Sequence, residues 1–305
     1  MKRRALFLLI AGCLSLGGTA VESRAGGLAV ATMHPVLTHP LQVIGGDKVK
    51  VSEIVPAGGD VHHFSPTASD VKKLAGMQII LLSGKHMETY LDKLRSNLAA
   101  DQEILEVGNN IPSLVIDAKD PTFMCCPKDA NGALDPHWWN SVENMQRAGT
   151  EIAKALAKKD PANRDYYRDN ATAWNKKLGE LKKWAVKEIS AIPVERRKLA
   201  TGHLALSYFA KEFGFKMVAV QGLSDEANAT PEDLAKAVKT VHDQKVTAFF
   251  SEQGVNPKYL KQLATESGAK DGGEIIADGN GTGELASFEA AFTHNVKTIV
   301  AALKP

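Results

Sequence analysis

The stretch DPANRDYYRDNATAWNKKLGELKKWAVKEISAIP, residues 160–193, decides the architecture. Asp160 offers an acceptor side chain just ahead of Pro161, and a proline at the first helical position forfeits no hydrogen bond. Tyr167, Ala171, Trp174, Leu178, Leu181, Ala185, Ile189 and Ile192 then recur at steps of three or four until Pro193 stops the run. This spacing predicts one helix with a single apolar stripe; at 1.5 Å per residue, about 30 residues run about 45 Å. A helix of that length can lie along two lobes. A coiled-coil dimer seam has similar periodicity, but one isolated helix in an α/β chain packs within its own molecule, so a monomer is expected.

On either side of this helix, strand and helix patterns alternate. Leu28–Thr32 reads as a strand, after which Pro35 and Pro40 are expected to prevent a long helix from starting. Val49–Val55 reads as a second strand ended by Pro56 and Gly58-Gly59, Ser69 as the cap of a helix through Leu74, Met77–Leu82 as a buried strand, and Glu88–Leu98 as amphipathic. Beyond residue 193, strands at 198–201, 216–220, 246–251 and 274–277 alternate with helices at 204–213, 230–244, 257–266 and 287–303. The expected fold is α/β: two lobes, each a mainly parallel sheet flanked by helices, bridged by one long rigid helix. The expected divisions are a first lobe at 26–159, the linking helix at 160–193 and a second lobe at 194–305.

Residues 1–25 read differently. Lys2, Arg3 and Arg4 precede an apolar run from Ala5 to Leu16 and then small residues, the pattern of a secretory signal cleaved near Ala20 or Ala25. The run is shorter than the roughly 20 residues a bilayer-spanning helix needs, and no later segment supplies one, so no substantial membrane insertion is expected after signal removal. Ile10-Ala11-Gly12-Cys13 also resembles a lipobox, which makes a lipid anchor at Cys13 the alternative to a free periplasmic or extracellular chain. The 305 residues carry a net charge of +2; losing the three cations before residue 20 leaves 34 basic against 35 acidic residues, a net of −1. That balance, without long runs of one sign, excludes a nucleic-acid groove or a polybasic membrane surface. Beyond Cys13 only Cys125 and Cys126 remain, and adjacent cysteines cannot staple distant segments, so a local structural role is expected of them ahead of soft-metal binding.

Of nine histidines, His62, His137 and His203 fall in loops that follow strands or short motifs, as does Asp278 after the strand near Ile275-Ile276. Loop ends after strands are where α/β folds bind ligands. Neutral imidazoles and one carboxylate make a donor set suited to a divalent cation such as Zn²⁺, and four protein donors leave no open position for catalysis. No HExxH motif brings two histidines together on one helix, so spacing alone favours a surface or hydrogen-bonded structural role for each histidine and leaves the metal reading weak.

Several motifs resemble the solute-binding proteins of zinc, manganese and iron ABC importers, a family that includes adhesin-like lipoproteins. Residues 45–73, GGDKVKVSEIVPAGGDVHHFSPTASDVKK, are similar to the family's Asp-x-His-x-aromatic stretch, whose register selects His62 over His63. Leu81–Leu94 with Gly84, Glu88 and Tyr90, then Asp135-Pro136-His137-Trp138-Trp139, Gly202-His203 with Tyr208-Phe209-Ala210 and Phe213-Gly214, Asp278 before a glycine-rich loop, and Asn295 all fit as well. The resemblance spans roughly residues 28–303. It implies an extracytoplasmic receptor, not an enzyme, that binds a transition metal through His62, His137, His203 and Asp278 between the lobes and delivers it to an ABC membrane permease. It also implies that the long helix restrains hinge opening. Three imidazoles and one carboxylate lean the expected ligand toward Zn²⁺, with Mn²⁺ or iron as the alternative within the family. An exported zinc hydrolase is the alternative outside it, and Glu252 is then a candidate base.

Some segments depart from the family pattern. Residues 109–134 match nothing in it, and the His- and acid-rich loop that many zinc receptors carry between the first two ligands is absent. His34, His39, His63 and His86 read as loop residues, with auxiliary metal contact the minority reading; His242 and His294 read as helix-surface residues. Glu252 reads either as an acceptor orienting His203 or as a surface carboxylate. Trp138 and Trp139 read as packing, and Gly279–Gly283 as a turn that frees Asp278 rather than a phosphate cradle.

Overall fold

The computed structural model describes residues 27–305 apart from 118, 121, 126–131, 220–230 and 280. The signal segment, Cys13 and Cys126 lie outside the described residues. In chain order, β1 (Leu28–Thr32), α1 (Pro35–Gly45), β2 (Val49–Glu53), α2 (Ala68–Leu74), β3 (Ile79–Leu82), α3 (Leu91–Arg95) and β4 (Glu103–Glu106) build the first lobe. Its sheet runs β2-β1-β3-β4 with every pairing parallel. Ile79, Ile80, Leu81 and Leu82 of β3 are all buried, as an inner parallel strand covered on both faces requires.

The short strands β5 (Leu114–Val115), β6 (Phe123–Cys125) and β7 (Leu134–Asp135) precede α4 (Val142–Lys159) and α5 (Arg164–Ile189). The second lobe then follows as β8 (Lys198–Thr201), α6 (Ser207–Phe213), β9 (Lys216–Ala219), α7 (Pro231–Asp243), β10 (Ala248–Glu252), α8 (Lys258–Ser267), β11 (Lys270–Ile275) and α9 (Phe288–Leu303). Its parallel sheet is ordered β11-β10-β8-β9-β6. The outermost strand, β6, therefore comes from the first half of the chain, the segment that matched no family pattern. β5 and β7 pair antiparallel with each other.

The long helix has 26 residues, about 39 Å, entered through a 3-10 turn at Pro161–Asn163. Its stripe of Tyr167, Ala171, Trp174, Leu178, Ala185 and Ile189 is buried. It does not run alone. The 18-residue α4, for which the sequence reading made no assignment, packs along it, and α1 and α9 touch it from the two lobes. A Cβ at Gly149 would stand 2.6 Å from Trp174 Cε3, so the α4–α5 contact is as close as it is because Gly149 has no side chain. At the junction of α1, α5 and α9, Glu289 Oε1 accepts from Lys177 Nζ at 2.9 Å and Trp174 Nε1 at 3.3 Å, and Oε2 stands 3.3 Å from His39 Nδ1. His39 is thus a helix residue at an interlobe contact, not a loop residue.

Residues 35–45 form an 11-residue helix despite Pro35 and Pro40. Pro35 occupies the first helical turn, where no N–H is needed. Pro40 costs about 3 kcal/mol inside a helix, but Val36, Leu37, Leu41 and Ile44 are at most 1% exposed and full burial stabilises by about 1.5–3 kcal/mol per side chain. Burial wins. In α2 the cap is Thr67 rather than Ser69, because Thr67 and Asp70 form a reciprocal capping box. The amphipathic pattern at 88–98 yields only Leu91–Arg95, and the buried Glu88 side chain ahead of it accepts from the Ser83 and Gly84 backbone N–H groups.

Candidate metal centre

Each of the four candidate side chains is set by a local device. After β2, Asp60 Oδ1 accepts from the N–H groups of His62 at 2.9 Å and His63 at 3.0 Å, while Oδ2 stands 2.8 Å from His63 Nδ1. This turn leaves His63 tied to Asp60 at the surface and His62 in the cleft. At the end of β7, Asp135 Oδ1 accepts from the His137 N–H at 2.9 Å and stands 2.8 Å from its Nδ1. Tyr208 on α6 donates its hydroxyl to the Asp135 carbonyl at 3.0 Å. Beyond β8, His203 Nδ1 lies 3.0 Å from Glu252 Oε2 at the end of β10. Asp135 and Glu252 therefore orient two rings so that Nε2 faces the cleft, the arrangement typical of ligating histidines.

Asp278 is held through its neighbours. Asn295 on α9 accepts from the Ile276 N–H at 2.8 Å and donates to the Ile276 carbonyl at 2.7 Å. Trp139 Nε1 and Asn140 Nδ2 both donate to the Ala277 carbonyl at 2.8 Å. Gly279 then turns the chain with φ +130°, a conformation that other residues rarely adopt. Trp138 and Trp139 are fully buried, as expected of packing residues, but Trp139 also fixes the loop that presents Asp278.

These devices bring the four residues together. His62 Nε2 and His137 Nε2 are 3.4 Å apart, and Asp278 Oδ1 is 3.5 and 3.6 Å from them. Asp278 Oδ2 is 3.3 Å from His203 Nε2, and one donor atom from each of the four lies within 4.8 Å of the others. A tetrahedron with bonds of about 2.0–2.1 Å has edges of about 3.3–3.4 Å; these spacings are near that size, with Asp278 offering Oδ1 to His62 and His137 and Oδ2 to His203. His137 and His203 are buried, while His62 and Asp278 are slightly exposed. A cavity of about 130 Å³ lined in part by Gly58, Gly59, Asp60, Gln253 and Gly254 reaches His62 and Asp278.

Burial and mutual charge act against each other at these groups. Burial alone would lower the His203 pKa, but the Glu252 and Asp278 carboxylates outweigh it and raise it well above the usual imidazole value. Burial would raise Asp278, yet His203, His62 and His137 hold its carboxyl well below the ordinary range. For His137 burial dominates over Asp135 and Asp278, and its pKa falls.

His34, in the bend after β1, is also the N-cap of α1, 1% exposed, with its ring centroid 4.3 Å from that of Trp139. Burial pushes its pKa down to about 3 against the pull of Asp278. The sequence signal was a residue with a cap-competent side chain directly before a proline. His63 and His86 lie in loops, His242 is exposed on α7, and His294 on α9 reaches the Glu274 carbonyl at 2.9 Å.

Two parallel-sheet lobes and a bracing helix thus place His62, His137, His203 and Asp278 together at their junction, the arrangement of a solute-binding protein. The family described as zinc-uptake complex component A, periplasmic (ZnuA) matches residues 30–302. The chain belongs to this family: it is an extracytoplasmic, metal-binding substrate-binding component of an ABC importer. It is 32% identical over 271 residues to the manganese-binding lipoprotein MntA of Bacillus subtilis, covering 86% of this chain and 85% of that protein. It is 28% identical to the iron-binding protein YfeA of Yersinia pestis, covering 91% and 88%. The periplasmic zinc binding protein TroA of Treponema pallidum superposes with a TM-score of 0.81 at 25% identity, covering 92% of this chain and 100% of that one. Among the described residues no helix is long and apolar enough to cross a membrane.

Proposed function

We propose that His62, His137, His203 and Asp278 are the ligands of one divalent cation, that zinc is the preferred ion, and that the protein hands it to its membrane permease. The clustering of the donor atoms carries this reading: contacts of 3.3–3.6 Å link His62, His137 and His203 to one another or to the two Asp278 oxygens, and one donor atom from each residue lies within 4.8 Å of the others, close enough to share a single cation. Three imidazoles and a single carboxylate favour zinc over manganese, which prefers more oxygen donors. Asp135 and Glu252 hold the Nδ1 side of two rings and raise their donor strength. The ion would enter from the side of Gly58–His62, displace the His203 proton, and exchange that ion pair for metal bonds.

The names of relatives that bind manganese or iron support a second reading, a manganese or iron receptor with the same ligands. Competitive titration of metal-free protein with zinc and manganese separates the two. A single zinc site that manganese displaces only in large excess supports the first; preferential manganese binding overturns it.

A further inference from the structure

His34 is not among the four donors, yet it stands beside them. Its Nδ1 accepts from the Val36 N–H at 3.2 Å, capping α1. That bond fixes the tautomer: in the neutral ring the proton sits on Nε2. His34 therefore has no lone pair to give a cation without surrendering the cap. Its Nε2 is buried with no hydrogen-bond partner, an arrangement native structures rarely leave unexplained. The ring edge faces the Asp278 loop, since a Cβ at Gly279 would stand 3.8 Å from His34 Cε1. Asp278 turns Oδ1 toward His62 and His137, at 3.5 and 3.6 Å. Its other oxygen, Oδ2, pairs with His203 Nε2 at 3.3 Å, and that partner is lost once His203 gives its lone pair to a metal.

We propose that His34 is a positioning residue for metal selectivity, whose Nε2–H donates to the Asp278 carboxylate in the metal-loaded protein and confines that carboxylate to one-oxygen coordination. The inference rests on the ligand assignment above. A carboxylate bound through one oxygen completes four-coordination and suits zinc. Manganese, which seeks further oxygen donors, needs the second oxygen that His34 holds.

The two ring nitrogens have separate amide mimics, which allows the two roles to be tested apart. His34→Asn places an acceptor near Nδ1 and keeps the cap but supplies no donor at Nε2; His34→Gln places an amide nitrogen near Nε2 but weakens the cap. The readouts are the zinc-to-manganese affinity ratio, the visible absorption of the Co²⁺-loaded protein and the thermal midpoint of the metal-free protein. The proposal predicts that His34→Asn lowers the ratio by about 10–100-fold and weakens the Co²⁺ band, as coordination rises above four, with an unchanged midpoint. His34→Gln should lower the midpoint while keeping the ratio and the band. An unchanged ratio and band in His34→Asn, or an equal shift in His34→Gln, overturns the role of His34. In the parent, long-range ¹H–¹⁵N spectra should show the Nε2–H tautomer with and without zinc; a zinc-bound His34 nitrogen overturns it as well. Failure of the parent itself to bind any of the three ions would instead remove the ligand assignment on which the inference stands.

Discussion

His62 Nε2 and His137 Nε2 stand 3.4 Å apart although 75 positions separate them in the chain. Asp135 takes the Nδ1 side of His137, so the Nε2 of that ring is left as a lone pair aimed at His62 and Asp278. Two such nitrogens at this distance gain nothing from each other unless a proton or a cation lies between them.

Removing one of them should therefore cost more than disturbing a residue behind them. His137→Ala is expected to lower zinc affinity by more than the ~100-fold upper range for outer-sphere changes, while the metal-free chain keeps its far-ultraviolet circular dichroism. Competition against a fluorescent chelator gives the affinity, and parent-like binding would remove His137 from the site.

Glu252→Gln tests the orienting role directly. It keeps the shape of the side chain and removes the charge that faces His203 Nδ1 at 3.0 Å. Zinc affinity should fall about 10–100-fold. Asp60→Asn is the comparison, because Asp60 acts through the loop backbone and is largely solvated.

The sign of the pH dependence follows from His203 and Asp278. His203 has a raised pKa in the metal-free fold, so its stabilising pairing is full below the unfolded value of about 6.5 and is lost as pH rises through the raised value. Asp278 has a depressed pKa, so its contribution is present above about 3.9 and is lost as pH falls through the depressed value. On the proposed ligand assignment, a cation that binds between those limits would displace the His203 proton. Apparent zinc affinity should rise about tenfold per pH unit near neutrality, with about one proton released per ion. Calorimetry in buffers of different ionisation enthalpy counts that proton; affinity that is flat between pH 6 and 8 contradicts the scheme.

Gly149→Ala reverses an ordinary rule. In an exposed helix the change from glycine to alanine gains up to about 1 kcal/mol. Here the new methyl meets Trp174 at 2.6 Å, and overpacking typically costs about 1–3 kcal/mol. The thermal midpoint should fall.

Much of this was legible in the sequence where one physical signal dominated. The stripe from Tyr167 to Ile189 located α5, and short apolar runs bounded by turn residues located β1, β2, β3 and β8. Proline at 35 and 40 misled because local propensity cannot weigh the burial of Leu37, Leu41 and Ile44, which depends on partners far away in the chain. The helix α4 carried readable signals, Ser141 as a cap and Val142, Met145, Ile152 and Leu156 as an apolar face. The crossing of Phe123–Cys125 into the second sheet had none, since an edge strand of three residues has too short a period to register. His62, His137, His203 and Asp278 could be named from motif resemblance, but their convergence is a property of two sheets meeting and appears only in three dimensions. His34 was undervalued for the same reason: its neighbours Trp139 and Gly279 come from distant loops.

X-ray absorption at the zinc edge of protein loaded with one equivalent tests the central assignment most directly. The account predicts four nitrogen and oxygen donors at about 2.0–2.1 Å, with the outer-shell scattering of three imidazoles and no sulfur. Sulfur scattering at about 2.3 Å, or a first shell unchanged in His62→Ala, His137→Ala and His203→Ala, would contradict it.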